Sequence, residues 1–411
     1  MNIPTPDLLD RFCRYVRVNT EAVENSGTYP SSPGQLELGK MLLHELLALG
    51  LTDAKQSEFG IVTATIPATV VQKVPVIAWF AHMDTSPETT GKNVRPIVHA
   101  NYDGRDLILP GDPSKVLRPS ESPALQACIG KTVITTDGTT LLGGDNKAGV
   151  AVIVETAAFL LQHPEIPHGA IRICFTCDEE IGHGVDHVDI DALGADAGYT
   201  LDGMGEGEIE AETFSANKAT VTFTGINIHP SIAKGKMVNA LRMAGTFLDS
   251  LPTNLSPENT EGREGFIHPY TIEGGVAKVT VEILLRDFVT ASLDDQEVML
   301  RQRAAMIERL FPRSQVEVAI RPQYRNMAEG MKKEPRAVAF ALEAMEAAGV
   351  QPKLGSIRGG TDGSQLTAKG LPTPNLSTAE HHIHSPLEWT CLEEMQTAVR
   401  VLIELAKRWA R

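Results

Sequence analysis

The chain has 411 residues, 42% of them hydrophobic, and a formal net charge of -15. Such a length predicts two domains with sizeable cores, and such a charge excludes nucleic acid or an anionic membrane as the main partner. The opening MNIPTPDLLDRFCRYV has no basic stretch leading into an apolar one, and no run nears the roughly 18 apolar residues of a membrane span, so the expected location is the cytoplasm.

Taken in chain order, residues 36–49 repeat apolar side chains with a helical period. Residues 74–81 form a continuous apolar run, as expected of a strand buried on both faces. Residues 91–131 read as a long loop rich in Pro, Asp and Gly, of a length often tied to function. A loop at 141–145 feeds a helix from about 146 to 162, and two more buried strands follow at 170–176 and 197–201. This alternation predicts an α/β fold with helices on both faces of a sheet. The pattern changes after Glu212. Residues 219–223 and 277–285 read as strands, the latter with clear alternation, and 238–251 and 294–310 as helices. The expected organisation is a catalytic domain of residues 1–212 and 322–411 with an inserted α+β domain at 213–321. The chain closes with a helix at 336–348, a glycine-rich loop at 358–363 and a helix at 391–409.

The cysteines Cys13, Cys128, Cys174, Cys177 and Cys391 are an odd, scattered set, which is no disulfide framework. Cys174 and Cys177 have the spacing of a redox or zinc pair. Their strand-like setting points residues three apart to opposite faces, so buried strand thiols are expected.

Four acidic or histidine clusters stand at ends of these elements: His82-Met-Asp84, Asp145-Asn-Lys147, Asp178-Glu-Glu180 and Asp202. Alone, each has an ordinary explanation: a helix cap for Asp145, a hydrogen-bonded core histidine for His82, solvated surface for the glutamates. Together they deliver carboxylates to one crevice beyond the strand ends. Divalent cations are the natural counter-charge for such a crowd. Two metals can share a bridging carboxylate and a water, imidazole and carboxylate suit zinc, and Asp84 is well placed to orient His82. Of the adjacent glutamates, one can bind metal while the other acts as general base. A second histidine is needed, and His381, His382 and His384 are equivalent candidates by spacing.

His82-x-Asp84, Asp145-x-Lys147, Glu179-Glu180-x-Gly182, Asp202 and His384 resemble the signature of the co-catalytic zinc peptidases, the clan that includes glutamate carboxypeptidase, aminoacylase and the dipeptidases. Further stretches resemble its peptidase T branch, the tripeptide aminopeptidases. They include Thr136-Asp-Gly-Thr-Thr-Leu-Leu-Gly143, Asn227-Ile-His229-Pro230, Thr260-Glu-Gly-Arg-Glu-Gly-Phe266 and Ile357-Arg-Gly-Gly-Thr-Asp-Gly363, and they run from about residue 80 to the end. The resemblance implies a mixed-sheet dinuclear zinc peptidase domain with an inserted lid or dimerisation domain. It implies two Zn2+ per subunit, with Co2+ or Mn2+ able to occupy similar sites. Asp145 would bridge the metals, with His82 and Asp202 on one and Glu180 and His384 on the other. Asp84 would orient His82, and Glu179 would be the general base. His229 would hold the oxyanion, often from a neighbouring subunit, which implies a homodimer. Arg358 would grip the substrate carboxylate, and Asn217 and Arg286 would face substrate. One stretch departs from the branch: residues 379–386, AEHHIHSP, follow the general clan pattern, although the spacing from His384 to Glu388 is kept. Short peptides are the expected substrates. A dipeptidase or an N-acyl amino acid deacylase of the same clan is the alternative. A non-catalytic metal-stabilised binding protein would require a lost base or lost ligands, and all are present.

Overall fold

The computed structural model describes residues 5–411; the first four, which open the segment read above for a leader, lie outside the described residues. The chain divides into two compact units. One comprises the chain up to Ala211, Glu329–Gly355 and Thr361–Arg411; the other comprises Glu212–Ala328 and Ser356–Gly360. The second unit thus runs past the 213–321 span read from the sequence. Its edge strand continues to Tyr324, and the Phe214 N–H donates to the Ile357 carbonyl at 3.1 Å, which ties the start of the glycine-rich loop to it.

The first unit is built on eight strands in the order Lys55–Gln56, Val62–Ile66, Ile171–Thr176, Ile77–His82, Ala197–Met204, Asn375–Glu380, Glu208–Thr213 and Lys353–Ile357. The four from Ile171–Thr176 to Asn375–Glu380 run parallel, and Val62–Ile66 and Glu208–Thr213, which flank them, run antiparallel to them. Every residue of Ile77–His82 is buried. Trp79 and Ala81 join one core cluster with Val150, Ile153 and Leu402 of the helices Gly144–Gln162 and Leu392–Trp409. Ala78 and Phe80 join another with Val185, Leu193 and Leu366. Packing on both faces is what permits an unbroken apolar strand. Cys174 and Cys177 fall in these two different clusters, as their spacing predicts, and both are free thiols.

The 91–131 stretch is less of a loop than its composition suggests. It contributes the strand Ile97–His99, the pair Leu107–Ile108 and Val116–Leu117, and the helix Pro123–Ala127. Ser122 caps that helix by accepting from the Leu125 N–H.

The second unit has an antiparallel sheet in the order Phe266–Gly274, Lys278–Asp287, Ser215–Thr224 and Gln315–Tyr324. Val279, Val281, Ile283 and Leu285 point alternately to one face, where the helices Ala240–Asp249 and Ser292–Leu310 cover them. The other face carries half-buried polar residues such as Lys218 and Glu282, whose alternation is that of a one-sided sheet. Among the described residues, no helix is long and apolar enough to cross a membrane.

Candidate metal centre

The four parallel strands bring their carboxyl ends to one edge of the first unit. His82 closes its strand, Glu179 and Glu180 follow Thr176 in a short 3-10 turn, Asp202 lies near the end of Ala197–Met204, and Glu380 ends Asn375–Glu380. Asp145 reaches the same place from the start of its helix, where Asp145 and Asn146 are not yet helical. Its carboxylate offers one oxygen to each of two histidines. Oδ1 lies 2.9 Å from His82 Nε2, and Oδ2 lies 3.2 Å from His384 Nε2. Asp202 Oδ1 is 3.3 Å from the same nitrogen of His82, and Glu180 Oε2 is 3.0 Å from that of His384. The result is two histidine–carboxylate pairs joined by one shared carboxylate.

Buried hydrogen bonds hold this arrangement. The His82 Nδ1 meets the Asp84 carbonyl at 3.1 Å, nearer than the Asp84 carboxylate at 3.4 Å. That carboxylate accepts the Glu179 N–H on one oxygen and the Glu180 N–H on the other, both at 3.1 Å. Asp84 therefore joins the end of one strand to the acidic turn after its neighbour. Asp178 anchors the turn from the other side. It has a left-handed backbone and accepts from the Ser31 N–H, the Ser31 hydroxyl and the Gln35 amide. Glu388 accepts the N–H groups of Leu142, Gly143 and Asp145 at 2.7, 2.9 and 3.1 Å, which fixes the loop that presents Asp145. Lys147 is fully buried and donates to the Val18 carbonyl at 2.9 Å.

The charges are crowded enough to shift protons. Burial opposes a charge on His82, yet Asp202, Asp84 and Asp145 push its pKa well above the usual histidine value. His384 rises to about 11, because hydrogen bonds to Asp145 and Glu180 outweigh its burial. Burial would raise Asp145, but both histidines hold it below the usual carboxylate range. Burial lifts Glu180 to about 8, with the Asp145 charge adding to it. It lifts Asp202 to about 6 and carries Glu179 and Glu380 well above their ordinary values. The protons that such carboxyls retain for want of counter-charge are what divalent cations displace.

The donor set fits such cations. His82, Asp145 and Glu180, and likewise Asp145, Asp202 and Glu380, each bring one ligand atom within 4.8 Å of the others. Glu180 Oε1 is buried with no hydrogen-bond partner, an orphaned acceptor that a metal ion satisfies. Imidazole nitrogens and carboxylate oxygens are ligands of zinc-type ions.

Comparison with known proteins agrees with this reading. Residues 138–408 match the model of peptidase family M20/M25/M40. A peptidase T from Geobacillus sp. (strain WCH70) is 44% identical over 401 residues, covering 98% of both chains. One from Shouchella clausii (strain KSM-K16) is 45% identical over 400 residues, covering 97% of both. The chain belongs to the peptidase T family. Its fold is that of the aminopeptidase PepT from Bacillus cereus ATCC 10987, with a TM-score of 0.77, 24% identity and 100% of both chains covered. A tripeptidase from Staphylococcus aureus subsp. aureus Mu50 gives a TM-score of 0.79 at 23% identity, covering 100% of this chain and 99% of that one.

Of the three neighbouring histidines left open by spacing, the structure brings His384 to the carboxylates. His381 instead stacks on Trp389 at 3.8 Å between ring centroids and pairs with Glu394. Glu380 and Asp362 were not singled out from the sequence, and Asp178 and Glu388 appeared there only within a cluster and a spacing, with no role of their own. Asp362 is buried, accepts from Thr176 at 2.8 Å and is raised to about 7 by burial. The signal for Glu380 was an acid at the end of a short strand, the same signal that singled out Asp202.

The remaining residues carried over from the peptidase T resemblance lie in the second unit. His229 is exposed and caps a short 3-10 turn, with its Nδ1 2.7 Å from the Ser231 hydroxyl. Arg358 donates to the Gly262 carbonyl and the Thr260 hydroxyl at 3.0 and 2.9 Å, and its guanidinium stands over Phe214 and Phe266. Asn217 is buried, donating to Glu297 and accepting from Arg325. Arg286 is also buried and donates to the Asn217 carbonyl, and burial lowers its pKa. Asn217 and Arg286 are thus hydrogen-bonded to each other and to neighbours within the second unit.

Proposed function

We propose that this protein is a metal-dependent aminopeptidase that releases the N-terminal residue of short peptides, tripeptides above all, in the cytoplasm. The observation that carries the proposal is the Asp145 carboxylate, whose two oxygens face His82 and His384 at 2.9 and 3.2 Å. This geometry supports a dinuclear centre in which Asp145 would serve both ions, His82 and Asp202 would hold one, and His384 and Glu180 would hold the other. Zinc is the proposed occupant, and cobalt or manganese suits the same donors. Relatives named peptidase T support the substrate class.

When bound, two divalent cations supply Lewis acidity toward the scissile carbonyl and lower the pKa of the attacking water. The chain's own groups do the rest. The Glu179 carboxylate takes a proton from that water and later passes it to the departing amine nitrogen. Asp84 sets the angle of the Glu179 turn and the direction of the His82 ring. Arg358 pairs bidentately with the substrate carboxylate, and His229 hydrogen-bonds the carbonyl oxygen as it gains charge, contributed from a second copy in a homodimer. Asn217 and Arg286 complete the proposed substrate contacts. The test is hydrolysis of Ala-Ala-Ala, Ala-Ala and N-acetylalanine by zinc-loaded protein. Preference for the tripeptide supports the proposal. Preference for the dipeptide or the acylated amino acid replaces it with the corresponding clan activity.

A further inference from the structure

A second group of metal-type donors lies inside the first unit, apart from the carboxylate cluster. The thiols of Cys128 and Cys391 and one carboxylate oxygen of Glu394 lie within 4.8 Å of one another. Both cysteines are fully buried, and Glu394 is 6% exposed. Cys128 Sγ already donates to Glu394 Oε1 at 3.4 Å. The other oxygen of Glu394 accepts from His381 Nε2 at 2.7 Å. Lys131 Nζ stands 3.8 Å from Oε1.

This is the chemistry of a thiolate metal site. Two thiols and a carboxylate are zinc-type ligands, and closed structural sites are buried as these are. Their mutual separations, within 4.8 Å, come within about 1 Å of the roughly 3.8 Å edge of a tetrahedron with zinc–sulfur bonds near 2.3 Å. The surrounding partners are those a ligand set needs: a histidine orients the carboxylate from behind. Two thiolates and a carboxylate around a divalent ion leave one negative charge, which the Lys131 ammonium offsets. Both thiol protons leave as the ion enters.

We propose that Cys128, Cys391 and Glu394 form a third metal site, of the thiolate type, which takes a divalent cation such as Zn2+ and ties the Pro123–Ala127 helix to the segment that follows Glu388. The site is independent of the dinuclear proposal, because only sulfur ligation gives the signals used to test it. Reduced full-length protein, first loaded with two equivalents of Zn2+, is titrated with Cd2+. The expected result is a thiolate-to-cadmium charge-transfer band that saturates at one equivalent, with a 113Cd resonance in the thiolate-ligated range. Cys128→Ser and Cys391→Ser should lose the band, and Cys174→Ser should keep it. No band and no thiolate-range resonance from folded wild-type protein, or a band that survives Cys128→Ser, overturns the proposal. The resonance is read on the unmodified chain, so the test stands even if a variant fails to fold.

Discussion

Asp84→Asn removes one acceptor and reverses one dipole at a fully buried joint. The wild-type carboxylate accepts the Glu179 and Glu180 N–H groups, one on each oxygen. Asparagine keeps the shape but has a single oxygen, so its amide NH2 must face one of the two N–H donors. Losing a hydrogen bond to a charged acceptor costs about 1.5–3 kcal/mol, and an unpaired buried donor adds to that, for a total of about 2–4 kcal/mol after relaxation. The variant also loses the carboxylate beside the His82 ring, a change that typically weakens metal binding by about 10- to 100-fold. Turnover should fall as well, because the displaced turn carries Glu179. Stability is measured on metal-free protein by urea unfolding followed through tryptophan fluorescence. The three tryptophans, Trp79, Trp389 and Trp409, all belong to the first unit, so the signal reports that unit alone. An unchanged urea midpoint with wild-type metal affinity and turnover would refute the role assigned to Asp84.

Three further outcomes follow from the same geometry. Glu179→Ala should keep its full metal content by elemental analysis while kcat falls by about two to four orders of magnitude; normal turnover removes Glu179 as the base. Arg358→Ala should raise KM for a free tripeptide by about 10- to 100-fold, the worth of a bidentate charged pair, and leave KM for the C-terminally amidated peptide unchanged. An equal rise for both peptides would place Arg358 outside carboxylate binding. His384, at about 11, and His82, well above its usual value, are protonated in the metal-free protein at neutral pH, and metal entry must expel those protons. Zinc added to weakly buffered protein should therefore release protons to an indicator dye, and zinc affinity should fall as the pH is lowered. Uptake with no proton release contradicts the charge distribution described.

The elements with one strong signal were legible in the sequence. Residues 77–81 are apolar throughout and, with His82, form the strand that delivers that histidine. Asn375–Glu380 escaped because its sequence, NLSTAE, is polar, although every residue in it is buried. Its polar groups are satisfied by neighbours that sequence alone does not place: Asn375 bonds Thr200 and Glu210, and Thr378 bonds Glu380. Glu380 was missed with it. The choice among His381, His382 and His384 depends on left-handed backbones at His382 and His384, which no spacing reveals. Arg358 opens the glycine-rich loop at 358–363, yet its hydrogen bonds run to Thr260 and Gly262. Contacts across about a hundred residues decide its place. Asp84 was read as the partner of the His82 ring, and the structure adds a second task, since its carboxylate also holds the Glu179 turn.

Asp145 is proposed to unite two metal sites into one peptidase centre. The most direct measurement is tripeptide hydrolysis by metal-stripped protein as zinc is restored stepwise, with bound zinc at the carboxylate cluster counted alongside in a Cys128→Ser background. No activity is expected without metal and full activity at two bound ions, with Asp145→Ala binding neither tightly and remaining inactive. Full activity in the stripped protein, or two ions and normal turnover in Asp145→Ala, would contradict it.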